Sequence, residues 1–158
     1  MNSKLSVGDN QKLLEPWLTV IGLVTVMWSP VERKIDECVV LIASKTNKKK
    51  PFTLSHKLNY IRDNSPENLS STLDVIELIR VTKGTARVRD VCVHGVIESY
   101  DNEQMVIGKV EGKSQEEYKI ELFTFDKKRL NSAGNNLTYL NQSWEMLLDE
   151  LYTALKNG

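Results

Sequence analysis

The sequence predicts a mainly α-helical bundle with a β-hairpin inserted before its last helix. Apolar residues recur at helical spacing along most of the chain, alternate with polar ones around Met105 to Leu122, and resume helical spacing from Leu130 to Leu155. No repeat, low-complexity tract or Pro- and Gly-rich linker separates these parts. The expected organisation is a flexible segment over residues 1–12 and a single domain over 13–158, with the hairpin at about 103–123.

In residues 13–44, Leu14, Leu18, Ile21, Val24, Trp28, Val31, Ile35, Val39 and Ile42 keep helical rhythm, which predicts core helix. Ser29 and Glu32 have capping-box spacing around Pro30, so the run reads as one helix kinked at Pro30 or as two nearly continuous helices. Lys45 and Lys48 to Lys50 then form a polar, basic stretch ending at Pro51, a solvated loop or a contact for nucleic acid.

Leu54, Leu58 and Ile61 predict a short helix, ended by the polar connection around Ser65-Pro66. A longer helix follows, with Leu69, Leu73, Ile76, Ile79, Ala86, Val93 and Val96 as its apolar positions, running across Gly84 and ending near Gly95. Met105 and Ile107, the polar turn at Gly112, and Tyr118, Ile120 and Leu122 predict the hairpin. Thr124 and Phe125 open a last segment whose stripe, Leu130, Ala133, Leu137, Leu140, Trp144, Leu147, Leu148, Leu151 and Leu155, predicts a long packing helix.

With 158 residues and 41% apolar content, the chain can bury a core without disulfides or metal. Lys plus Arg and Asp plus Glu both total 21, so no global field steers it toward nucleic acid or an anionic membrane, and any polyanion site is local. Cys38 and Cys92 lie in apolar stretches without a CxxC or Cys/His cluster, which predicts buried reduced thiols and no zinc. The most apolar stretch, residues 17–27, is too short to span a bilayer, and no basic-then-apolar leader opens the chain, so a cytoplasmic protein without a membrane partner is expected.

A phosphate-cradling Gly-rich loop, a GxSxG turn, an HExxH pair and an acidic metal-binding loop are all missing from the sequence. The chemistry left rests on two histidines. His56 has no acidic neighbour at helical spacing on its C-terminal side and reads as a surface or helix-start residue. Arg87, Asp90 and His94 are spaced three and four apart, which places them on one helical stripe, with Arg89 as a neighbouring cation. An imidazole that moves a proton, a guanidinium that holds phosphate oxygen and a carboxylate that orients either are the parts RNA cleavage needs, because the attacking group is the substrate's own 2′-hydroxyl. The same residues also read as an ordinary intrahelical ion-pair network.

At Arg89, Asp90 and His94 the sequence resembles the HEPN superfamily, whose signature is an Arg followed by a polar residue and then, a few residues on, a His late in a helix. Ile21-Gly22 through Glu32, with its Trp-Ser-x-x-Glu stretch, and His94-Gly95 leading into hairpin and terminal helix are similar too. The resemblance implies a bundle of about four to five helices that pairs through the motif helix, bringing Arg and His of two protomers together at a two-fold axis. It implies a metal-independent endoribonuclease without cofactor, of the kind found in toxin, antiphage-defence and RNA-processing systems, with RNA and an antitoxin or other partner protein as its partners. Carried over, His94 is the acid/base, Arg89 the phosphate contact and Asp90 the orienting residue, with Arg87 as the alternative arginine and substrate contact. A non-catalytic RNA- or protein-binding scaffold of the same kind is the second reading, and a structural module that makes no nucleic-acid contact the third. A subgroup that works with a nucleotidyltransferase antitoxin carries a Tyr two residues after the His, where this chain has Val96. The five-residue spacing requires Arg89 to reach around the helix, or the helix to loosen near Gly95. A two-fold interface containing His94, with Val91, Cys92 or Val96 beside it, is expected.

Overall fold

The computed structural model describes residues 7–67, 69 and 74–156. Four helices, α1 (Val7–Thr46), α2 (Leu54–Asn64), α3 (Val75–His94) and α4 (Lys127–Lys156), accompany three strands, β1 (Val96–Tyr100), β2 (Gln104–Glu111) and β3 (Lys119–Asp126). The chain is thus mainly helical. The strands form one antiparallel sheet in the order β1-β2-β3.

α1 passes through Pro30 as one helix and ends at Thr46. Asn47 takes the left-handed conformation that stops a helix, φ 54°, and its N–H donates to the Ala43 carbonyl at 3.0 Å. Thr53 caps α2, its hydroxyl accepting from the His56 N–H at 3.3 Å. Asp74 does the same for α3 through the Glu77 N–H at 3.0 Å.

Two compact units result: Met1–Val26 with Ala86–Asn135, and Met27–Thr85 with Asn136–Gly158. In the first, Trp17 of α1 and Val91 of α3 pack with Met105 and Ile107 of β2, Phe125 of β3 and Leu130 of α4. The Trp17 indole N–H donates to the Asp101 carbonyl at 2.8 Å, which ties the helix to the β1–β2 turn. In the second unit the buried residues include Trp28, Ile35, Cys38 and Ile42 of α1, Leu58 and Ile61 of α2, Leu78 of α3, and Leu137, Trp144 and Leu151 of α4. The same unit holds a buried polar contact, the Trp144 indole N–H donating to the Thr82 hydroxyl at 3.0 Å, and Thr82 in turn donating to the Leu78 carbonyl at 2.7 Å.

Several expectations change here. The hairpin predicted at 103–123 is the β2–β3 part of a three-stranded sheet; β1 takes Val96 out of the helix, and Thr124 and Phe125 belong to β3. α3 begins at Val75, so Leu69 precedes it in a bend, and Leu73 lies outside the described residues. The buried residues of α3 include Leu78, the predicted Ile79, Thr82, Thr85 and Val91, whereas Ile76 is 73% exposed and Val96, now in β1, 64% exposed; two inward positions hold threonine rather than an aliphatic residue. Of the segment read as flexible, residues 7–12 are in α1 and 1–6 lie outside the described residues. The apolar stretch at 17–27 sits within a much longer helix: among the described residues one helix, Asn10–Thr46, is long and apolar enough to cross a membrane by length and composition. On that helix Trp17, Val24, Trp28 and Val31 are buried in protein, whereas Leu18, Leu23, Val26 and Val40 are exposed.

Burial pushes the Cys38 thiol up to about 12, from an ordinary value of 9.0, with Glu37 and Glu145 adding to the effect. Above pH 9 the unfolded chain releases a proton that the folded chain keeps, so stability falls as pH rises toward 12, by about 1.4 kcal/mol per pH unit from this group. Urea unfolding in reductant between pH 8 and pH 11 is expected to show this decline, and Cys38→Ala to flatten it. A decline of equal slope in the variant would assign it to other groups.

Candidate functional site

α3 presents Arg87, Asp90 and His94 on one face because three- and four-residue steps return to the same side of an α-helix. That face meets the sheet. In β2 and β3 the register pairs Met105 with Phe125, Ile107 with Phe123, Lys109 with Glu121 and Glu111 with Lys119. Alternation therefore continues the apolar core rows, Met105 and Ile107, into a charged row at Lys109 and Glu111. α3 follows the same order: Val91 is buried with the core, while Asp90 and Arg87 meet the charged row.

Asp90 lies between Lys109 and His94. One carboxylate oxygen accepts from the Lys109 ammonium at 2.5 Å, and the other lies 3.8 Å from Nε2 of His94. Lys109 also reaches Glu111 at 3.2 Å, and its side chain is largely buried. The hydrogen bond to Asp90 holds the Lys109 ammonium above the ordinary lysine range, and Glu111 adds to it, while burial pulls the other way. Lys109 is thus a fixed cation beside the carboxylate. His94 is exposed at the last turn of α3.

The two arginines are placed differently. Arg87 leans toward the sheet, 3.6 Å from Glu121 and 5.5 Å over the Phe123 ring, so it bridges α3 and β3. Arg89 continues the line of Leu78, Thr82 and Thr85 on the buried side of α3, and its Nε is buried without a hydrogen-bond partner among the described residues. At about 100° per residue, Arg89 and His94 are roughly 140° apart around the axis. α3 stays α-helical through His94, so no loosening brings them together within the chain. Val91, expected at an interface, faces the core instead; Val93 and Val96 are the exposed apolar residues beside His94. The sequence reading missed Lys109, whose only signal was a lysine in the otherwise apolar middle of a strand.

Gly95 fixes how the site ends. A Cβ there would overlap the Cγ2 methyl of Ile107 and lie 2.6 Å from the Val91 carbonyl oxygen, so only glycine lets α3 turn into β1 this close to β2. Gly95→Ala is expected to cost about 1–3 kcal/mol of stability in urea denaturation, through overpacking. An unchanged midpoint would show that the turn relaxes freely.

Among the described residues no group of three or more His, Cys, Asp or Glu side chains is placed to hold a metal ion. Comparison with family models, with curated proteins and with solved structures gives no match.

Proposed function

We propose that the chain is a HEPN-like, metal-independent endoribonuclease, acting as a cytoplasmic homodimer in a toxin or antiphage-defence system. The observation that carries this reading is the exposed His94 imidazole 3.8 Å from Asp90, a carboxylate held from its other side by Lys109. In such a site His94 takes the proton of the RNA 2′-hydroxyl as that oxygen attacks phosphorus; the bond from phosphorus to the 5′-oxygen breaks, that oxygen takes a proton back from the His94 imidazolium, and the product ends in a 2′,3′-cyclic phosphate. Asp90 orients the imidazole, and Lys109 keeps Asp90 in place. Arg89, turned away from His94 in its own chain, serves as phosphate contact for the His94 of a second protomer, with Val93 and Val96 in the interface. Arg87 is the alternative substrate contact.

The buried, partnerless Nε of Arg89 also favours a second reading, a non-catalytic RNA- or protein-binding scaffold in which the arginine is structural. Incubating the chain with varied RNAs in chelator separates the two. Cleavage to 2′,3′-cyclic ends by a sedimenting dimer supports the nuclease, and intact RNA with a confirmed dimer supports the scaffold.

A further inference from the structure

α1 ends at Thr46, α2 begins at Leu54, and the loop between them, with the facing side of α1, encloses a cleft of about 530 Å³. Lys49, Lys50, Pro51, Phe52, Lys57 and Asp36 are among its lining residues. Phe52 is 94% exposed, although burying a Phe side chain stabilises by roughly 1.5–3 kcal/mol. Beside it, Lys49 and Lys50 are exposed. Of the neighbouring cations, Lys48 donates to Asn64 at 2.6 Å, and Lys57, the third lysine of the lining, sits 2.6 Å from Asp36, offsetting the carboxylate in the cleft. Two lysines and one aromatic face thus remain for a ligand, and α2, whose first turn holds no acidic residue, starts directly after them.

We propose that this cleft binds single-stranded RNA, one base stacking on Phe52 and the adjoining phosphate held by Lys49 and Lys50. An aromatic face beside paired cations matches the two parts of a nucleotide, a π-surface and an anion. Phe52 projects beside the cleft, so its ring is open to a stacked base. With zero net charge on the chain, attraction for a polyanion has to come from a local basic site such as this cleft. The choice of RNA over DNA rests on the endoribonuclease reading; binding here needs no cleavage.

The test uses the full chain carrying His94→Ala and a fluorescein-labelled oligouridylate, read by anisotropy over a range of KCl. Phe52→Ala is expected to weaken binding about tenfold or more and Phe52→Trp to restore it, because stacking tolerates any aromatic face. Replacing Lys49 and Lys50 together by Ala is expected to lower the salt slope by about 1.4, the share of two phosphate contacts on a single strand. A parent that does not bind, or variants that bind as the parent does, overturns the inference. So does a Phe52 requirement seen only with phosphatidylserine vesicles, which makes the loop a membrane contact. If the wild-type chain leaves RNA intact while Phe52-dependent binding persists, the nuclease reading fails and the cleft assignment stands.

Discussion

His94→Ala is expected to lower RNA cleavage by about 100- to 10,000-fold without unfolding the chain, the range a positioned general acid or base contributes. The side chain is exposed and makes no core contact, so its removal leaves the packing of Val91, Met105 and Ile107 untouched. The informative comparison is with Arg89→Ala and Lys109→Met. If Arg89 meets the phosphate across a dimer, its loss lowers the rate with little effect on the unfolding midpoint. If it is structural, the midpoint moves and the rate per folded molecule does not. Lys109→Met tests the inner support: Asp90 loses a partner at 2.5 Å, so the imidazole is held less well, and a partial rate loss is expected. Equal cleavage by wild type and His94→Ala would remove the catalytic assignment altogether.

What the sequence made legible follows from which periodicities the packing obeys. α4 was readable because Leu130, Leu137, Leu140, Trp144, Leu147 and Leu151 all point inward, and all are fully buried. α3 is legible only in part. Ile79 is buried as expected, but Thr82 and Thr85 also point inward, their hydroxyls disguising a buried face, while exposed Ile76 mimics one. β1 was missed because the register shift between Ile97 and Ser99 breaks the two-residue alternation by which a strand is recognised. At the site, the Asp90–His94 pairing was legible as an i, i+4 step. The partner that fixes it, Lys109, lies nineteen positions away in sequence and meets Asp90 only through the fold. That the Arg89 Nε is buried could not be read either, because the residue as a whole is only partly buried.

The inward face of α3 gives the largest expected effect on stability. Trp144 is fully buried in the second unit, and its indole N–H has Thr82 as its acceptor at 3.0 Å. Trp144→Ala removes a large ring from a closed core and is expected to cost about 3–5 kcal/mol, a large part of the 5–15 kcal/mol typical of a folded domain. Thr82→Val keeps the volume but strands the N–H, at about 1–3 kcal/mol. Trp144→Phe removes the donor, so the Thr82→Val penalty should shrink in that background. A double-mutant cycle in urea is therefore expected to give a coupling energy of about 1 kcal/mol between the two positions. Additive costs would mean that the hydrogen bond adds nothing and that Trp144 acts by volume alone. A coupling of the expected size would show that Thr82 is held inward for its hydroxyl, which is why an aliphatic pattern reveals only part of the buried face of α3.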